Sequence, residues 1–344
     1  MSEQKKELLL ELKNLHVDFK MDDQLLNAVN GVNLTVYKGQ NLGIVGESGC
    51  GKSVTSQAVM GLVPKNGKIS GQILLYEKDG VRLERPVDIA AMRANGREIR
   101  EVRGRNIAMI FQEPMAAFSP VHTIGAQMVE GLLLHRTKSR KQAQEIAVEM
   151  LQKVGIAAPE ERFHSYVHQL SGGMRQRAMI AMALSNNPVL LIADEPTTAL
   201  DVTIQAQVLK LIKDMQQDTG MSVIYITHDL GVIAEMCDQV AVMYLGQVVE
   251  RVDVFRLFQE PKHPYTQALL ASIPRLEDTT RSRLSTIPGN VPVPINMPTQ
   301  CPFYSRCSKR IDGLCDRRRP ELTQVEEGHF VSCFLWQKEG QHEK

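Results

Sequence analysis

Gly46-Glu47-Ser48-Gly49-Cys50-Gly51-Lys52-Ser53 matches the phosphate-binding pattern G-x-x-x-x-G-K-[ST] without a gap. In such a loop Gly46, Gly49 and Gly51 let backbone N–H groups close around an anion, and the helix start that follows adds its positive dipole end. Lys52 reaches the outer phosphates and Ser53 can ligate Mg²⁺. A glycine-rich turn without chemistry is the alternative, and the flanks argue against it. Leu42-Gly43-Ile44-Val45 reads as a short buried strand, and Val54, Ala58 and Leu62 recur four apart, as on one face of a helix.

Three further stretches carry groups suited to the same chemistry. Val189-Leu190-Leu191-Ile192-Ala193 is a continuous buried-strand run that ends in Asp194-Glu195, so two carboxylates emerge at the carboxyl end of a strand, where parallel sheets bind ligands. Asp194 is placed to hold Mg²⁺ with Ser53, and Glu195 to orient and deprotonate a water for attack on a γ-phosphate. Met221 to Thr227 forms another buried strand that ends at His228, whose imidazole could contact the γ-phosphate as charge develops; a structural hydrogen-bonding histidine is the alternative. In Leu170-Ser171-Gly172-Gly173-Met174-Arg175-Gln176-Arg177, Ser171 can cap a helix running through Leu184, a second anion-ready helix start; a simple cap or turn is the alternative, and the more frequent one for the motif taken alone.

The elements around these groups follow from pattern. Residues 8 to 19 and 31 to 37 are strand-like, with Asn30-Gly31 and Lys38-Gly39 as turns, an antiparallel prelude to the loop. Phe19 is either a base-stacking aromatic or an ordinary core residue. Gly67 to Gly71 suggests a turn, Ile73 to Tyr76 a strand, and Arg105 to Phe111 a strand followed at once by Gln112. From Pro120 to Leu184 the pattern is mostly helical, which predicts an inserted helical subdomain. Pro196 to Asp201 turns into a helix over about Val202 to Thr219, and Val240 to Leu245 with Gln247 to Val249 predicts a closing hairpin. Pro288 to Pro302 reads as an extended linker, because repeated prolines remove amide donors and fix φ.

Bulk properties narrow the function class. A chain of 344 residues predicts two unequal parts with ample core. Forty basic against thirty-nine acidic residues argue against a nucleic-acid partner, and the basic runs Arg97 to Arg105 and Arg317 to Arg319 read as solvated surface. The longest apolar run, the seven residues Ala178 to Leu184, is far below the roughly 20 needed to cross a bilayer. The charged start, without a signal-like apolar stretch, places the chain in the cytoplasm, where disulfides are not expected. Cys301, Cys307, Cys315 and Cys333 fall within the last 44 residues, separated by five, seven and seventeen residues. Four thiolates are a complete metal set, able to hold a [4Fe–4S] cluster or a Cys₄ zinc, with free thiols the remaining alternative. His329 could replace one ligand, and a surface histidine is the better reading. Cys50 and Cys237 carry no expected chemistry beyond thiol sensitivity at Cys50.

Taken together, residues 8 to 255 resemble the nucleotide-binding subunit of an ATP-binding cassette transporter, with several independent motifs in the family's order. The resemblance implies an α/β fold: a RecA-like P-loop core with an antiparallel β subdomain over residues 1–255, a helical subdomain inserted at about 113–185, and a cysteine-containing extension over 256–344. It also implies roles. Gly46 to Ser53 corresponds to the Walker A loop, Gln112 to the Q-loop that meets Mg²⁺ and relays motion to membrane subunits, and Leu170 to Gln176 to the signature motif. Asp194 with Glu195 corresponds to the Walker B end, Thr198 to Asp201 to the D-loop, and His228 to the switch histidine. Phe19 falls where the adenine-stacking aromatic lies. ATP would contact Phe19, the whole loop including Glu47, Ser48 and Cys50, and Asp194, with Ser171, Gly172, Gly173, Gln176 and Asp201 serving the site built with a second, head-to-tail subunit. Glu195, His228 and Gln112 are the expected catalytic residues.

Pro261 to Thr266, Ile287-Pro288-Gly289 and Cys301-Pro302-Phe303 with Arg306-Cys307 resemble the C-terminal extension of the peptide and nickel importer ATPases. That resemblance tips the cysteines toward a structural [4Fe–4S] cluster. It further implies a second ATPase subunit, as a different chain, two transmembrane permeases and, indirectly, an extracytoplasmic peptide-binding protein, with this chain peripheral on the cytoplasmic face of the inner membrane. Import of nickel or another small solute is the alternative within the class, and a non-transport cassette ATPase acting on nucleic acid or ribosomes the alternative outside it.

Overall fold

The structure of the protein, a computed structural model, describes residues 7–197, 200–272 and 287–337. The chain opens with a long hairpin, β1 (Leu8–Met21) and β2 (Gln24–Tyr37), then β3 (Asn41–Val45) and α1 (Lys52–Val59) on either side of the glycine-rich loop. β4 (Gly67–Lys78), β5 (Val81–Asp88) and α2 (Arg97–Val102) precede β6 (Ile107–Ile110). A helical stretch follows: α3 (Pro114–Ala117), α4 (Ile124–His135), α5 (Arg140–Lys153), α6 (Pro159–Phe163) and α7 (Gly172–Leu184). The chain then alternates through β7 (Leu190–Asp194), α8 (Val202–Thr219), β8 (Ser222–Ile226) and α9 (Leu230–Met236) to the hairpin β9 (Gln239–Tyr244) and β10 (Gln247–Asp253). Beyond it lie α10 (Val254–Gln259), α11 (Pro264–Ala271), β11 (Thr323–Glu326) and β12 (His329–Val331).

Two sheets organise these elements. The antiparallel one has the order β2-β1-β4-β5, and the larger one β11-β12-β10-β9-β3-β8-β7-β6. Strands β9, β3, β8, β7 and β6 run parallel to one another. β6, β7 and β8 are buried at every residue, as expected of strands covered on both faces. One face packs on α1 and the antiparallel sheet through Leu42, Ile44, Ile192, Ile224 and Met243. The other packs on the helical stretch and α8 through Val45, Ile110, Ala178, Ile212 and Val223. The ends of β3, β6, β7 and β8 that carry the candidate residues therefore open at a common rim. Among the described residues no helix is long and apolar enough to cross a membrane.

The structure corrects several local expectations. The hairpin reverses at Asp22-Asp23, between the paired Met21 and Gln24, whereas Gly31 lies inside β2 at a register shift against β1. Gly67 to Lys78 is one strand instead of a turn plus a strand; Gly71, at φ +89, faces the irregularity in β1, and a Cβ there would stand 2.2 Å from the Asn14 carbonyl oxygen. The basic runs are only partly solvated: Arg103 donates to the Met60 carbonyl at 2.7 Å and Arg319 to Asn30 at 3.2 Å. His329 is fully buried, donating through Nε2 to Glu250 at 2.7 Å. It sits there because β11 and β12 continue the main sheet beyond β10, so the extension shares the core instead of hanging from it. Phe303 and Phe334 join that core directly.

Candidate functional site

A cleft of about 550 Å³ is walled by Phe19, Leu26 and Ala28, by the loop residues Ser48 to Val54, and by Gln112, Glu195 and His228. A nucleotide-sized ligand fits such a volume. Each wall follows from an element end. The loop turns between β3 and α1 with Gly46 at φ +153, where a Cβ would lie 2.2 Å from the Met243 carbonyl oxygen. Only glycine lets the loop pass that close to β9. The buried Lys52 ammonium donates to the carbonyls of Gly46 at 2.8 Å and Glu47 at 3.1 Å, so the loop holds its cation at the mouth of the anion site. Cys50 is fully buried beside it, with Sγ 3.6 Å from Nζ, and burial pushes its thiol up.

Asp194 ends β7 and Glu195 follows at φ +47, a left-handed conformation that sets the two carboxylates on different courses. Ser53 Oγ donates to Asp194 Oδ1 at 3.3 Å. Burial pushes the Asp194 carboxyl above the usual carboxylate range, against the hydrogen bond from Ser53. A buried carboxylate facing a hydroxyl is an oxygen set that fits Mg²⁺. Glu195 is held at both oxygens: Gln112 Nε2 donates to Oε2 at 2.9 Å, and His228 Nδ1 lies 3.3 Å from Oε1. Gln112, Glu195 and His228 come from three different strand ends 83 and 33 residues apart in sequence, and the parallel order of β6, β7 and β8 brings them together.

The signature stretch stands apart. Ser171 caps α7 by accepting from the Met174 N–H at 3.3 Å, and Ser171 and Gly172 are exposed. Neither they nor Gly173 line the cleft. Gln176 is buried and donates to the Pro196 carbonyl, so it braces the turn after Glu195 from behind. Asp201 caps α8 by accepting from the Ile204 N–H at 3.0 Å, while Thr198 and Ala199 lie outside the described residues.

The cysteine expectation is overturned. Cys301, Cys307, Cys315 and Cys333 face a small pocket with Phe303, Tyr304, Phe334 and Leu335. Yet among the described residues no group of three or more His, Cys, Asp or Glu is arranged to hold a metal ion. Burial pushes the Cys301 thiol to about 12, the Cys333 thiol to about 11 and the Cys307 thiol upward, the direction expected of cysteines in apolar surroundings. Neither an iron–sulfur cluster nor another metal-binding role is supported; Cys301 and Cys315 act as small apolar residues within the main core, Cys307 packs against it and Cys333 is half-buried.

Sequence reasoning missed how the extension meets the loop. Arg306, nearly buried, forks onto the Glu47 carboxylate at 2.7 and 3.0 Å and donates to the Pro288 carbonyl at 2.9 Å. The Glu47 N–H donates to the Tyr265 hydroxyl at 2.9 Å. Tyr244, Tyr265 and Phe303 pack beneath, ring centroids 4.7 to 5.4 Å apart. Val291 to Pro294 reach the cleft itself. The Pro261 to Thr266 and Arg306-Cys307 stretches were visible as motifs, but nothing local in them points to residues some 259 positions away.

A family model described as ABC transporter matches residues 29–198, and one described as Oligopeptide/dipeptide transporter, C-terminal region, matches residues 249–315. The chain is 48% identical to the dipeptide transport ATP-binding protein DppD of Bacillus subtilis, over 98% of this chain and 97% of that one. It is 48% identical to a probable peptide ABC transporter ATP-binding protein of Sinorhizobium fredii, over 97% and 96%. Among solved structures, the ATP-binding cassette MJ0796, described as dimeric and bound to ADP and Pi, is similar at 26% identity and a TM-score of 0.62, covering 72% of this chain and 99% of that one.

Proposed function

We infer the role of this chain from its membership: it belongs to the ATP-binding proteins of ABC transporters, in the group that carries the oligopeptide/dipeptide transporter C-terminal region. It is the ATP-hydrolysing subunit of a peptide importer. The peptide-transport relatives at near-full coverage favour this over nickel import and over a cassette ATPase acting on nucleic acid.

The observation that carries the residue roles is the joining of Gln112, Glu195 and His228 at one rim beside the phosphate loop. Lys52 exchanges its carbonyl partners for phosphate oxygens when a nucleotide enters. Ser53, Asp194 and Gln112 would hold Mg²⁺, which would neutralise charge on the outer phosphates. Glu195 accepts the proton of the attacking water, and His228 and Gln112 fix the carboxylate that does so. Phe19 offers its half-buried ring to the base.

The start of α7 supplies the partner reading. Ser171 to Gly173 present N–H groups that do not face this chain's own cleft, so they serve a phosphate held by a second ATPase subunit, a different but related chain. The dimeric description of the similar solved cassette supports the pairing. Two permeases in the membrane and an extracytoplasmic peptide-binding protein complete the importer, with this chain docked peripherally on the cytoplasmic face.

Uptake of labelled dipeptide and oligopeptide into vesicles carrying the assembled complex tests this reading. Uptake should require internal MgATP and stop when Lys52→Ala replaces the parent chain; ATP-independent uptake, or uptake by the Lys52→Ala complex, would overturn it.

A further inference from the structure

We propose that the C-terminal extension forms part of the nucleotide site, with Val291-Pro292-Val293-Pro294 as an apolar wall against the purine base; this rests on reading the loop cleft as the ATP site. The antiparallel sheet leaves β2 as its edge strand, and an open edge offers unpaired N–H and C=O groups. The extension pairs with that edge. The Asn27 N–H donates to the Pro294 carbonyl at 2.8 Å, and the Asn296 N–H to the Leu25 carbonyl at 2.9 Å. Asn296 Oδ1 accepts from the Leu25 N–H at 3.1 Å, Asn27 Oδ1 accepts from the Met297 N–H at 3.1 Å, and Leu26 bridges to Ile295.

That pairing fixes what stands next to Phe19. In β1 and β2, Phe19 is the register partner of Leu26, and Leu26 in turn faces Ile295. Phe19, Leu26 and the segment ending at Pro294 therefore form one lateral row along the cleft, and all of them line it. Behind the row, the Arg306 fork on Glu47 ties the same extension to the phosphate end of the cleft. The extension thus touches the site at both ends, the loop that holds phosphates and the row that holds the base.

The chemistry of the wall says how it would bind. Pro292 and Pro294 have no N–H and fixed φ, so the segment is preorganised and offers no backbone donors at those positions. Val293 is 66% exposed, an apolar side chain at the mouth of the cleft that a bound base would cover. Such a wall contacts the face or edge of a purine by van der Waals contact and stacking, without reading its hydrogen-bonding groups.

The test separates base from phosphate. In the full-length chain carrying Glu195→Gln to prevent turnover, calorimetric titration compares MgATP with magnesium tripolyphosphate, which has the phosphates and no base. Val293→Gly, and separately the triple change Pro292→Gly, Val293→Gly and Pro294→Gly, should weaken MgATP about tenfold in Kd, equivalent to about 1.4 kcal/mol, and leave tripolyphosphate within about twofold. The exposed single variant keeps the result interpretable if the triple variant folds poorly. Equal weakening of both ligands would overturn the wall by making the segment a mere support of the phosphate loop, and so would unchanged MgATP affinity. A parent that binds neither ligand, or a Lys52→Ala chain that binds both as tightly, would overturn the nucleotide-site reading itself and the wall with it.

Discussion

Replacing Arg306 by alanine should loosen the extension where it grips the phosphate loop. The Arg306 side chain is 4% exposed and Glu47 26%, joined by two contacts of 2.7 and 3.0 Å. Breaking a buried ion pair by removing one partner costs about 3–5 kcal/mol. Water can reach Glu47 and partly resolvate its carboxylate, so the low end, about 3 kcal/mol, is expected here. The loss of the Pro288 carbonyl contact at 2.9 Å falls on the same segment. At about 1.4 kcal/mol per tenfold, local protection against amide exchange should fall more than about a hundredfold. The amides to follow are those of Tyr304 and Arg306, which donate within the turn that carries the arginine, at 3.0 Å each. Arg306→Lys keeps the charge without the fork and should recover only part of the protection. A double-mutant cycle with Glu47→Gln should give a coupling of at least about 1 kcal/mol. Protection unchanged within about threefold in Arg306→Ala, or no coupling to Glu47, would refute the clamp.

Two more expectations follow from buried carboxylates. Burial pushes Glu250 up, but hydrogen bonds from His329 and from the N–H groups of Lys262 and His263 prevail and hold its carboxyl below the ordinary 4.5. Its stabilisation is therefore fully present above about pH 4.5 and is lost as pH falls through the lowered value. The chain's single tryptophan, Trp336, donates to the Lys262 carbonyl at 3.0 Å and reports on this region. Its emission should change in that acid window, and Glu250→Gln should remove the change while destabilising the extension by about 3 kcal/mol; an identical acid profile in the variant would contradict the pairing. Asp194 has the opposite sign: its raised carboxyl makes the ligand-free chain most stable below the unfolded pKa and less so as pH rises through the folded one. Asp194→Asn should melt higher than the parent at neutral pH without ligand. It should also lose the about 2.7 kcal/mol of stabilisation that MgATP gives at a hundred times Kd. A lower melting temperature, or an intact response to MgATP, would refute the assignment.

What the sequence made legible was local. The phosphate loop, the strand run before Asp194-Glu195 and the serine cap before α7 are each set within about eight residues, where hydrophobic period, glycine placement and capping chemistry suffice. Gln112, Glu195 and His228 could be paired with strand ends because a parallel sheet delivers those ends to one rim. Long-range choices were not legible. Gly31 looks like a turn, yet serves as an irregularity inside β2, because the longer strand gains pairing with β1 that no local signal announces. His329 looks like a surface residue until β12 is paired with β10, whose Glu250 supplies its buried acceptor. The four cysteines share composition with a metal site, but residue type does not carry the arrangement such a site needs. The contact of Arg306 with Glu47 depends on the whole path of the extension across the sheet and is absent from any window of sequence.

The most direct measurement is the ATP turnover of the assembled transporter with Glu195→Gln in place of the parent chain, taken together with MgATP binding. Loss of a general base lowers rate by about 10²–10⁴-fold, and Glu195 is the carboxylate that Gln112 and His228 hold at the rim of the cleft. The expected result is turnover reduced at least about a hundredfold, with MgATP still bound. Undiminished turnover would contradict the assignment of this cleft as the hydrolytic site.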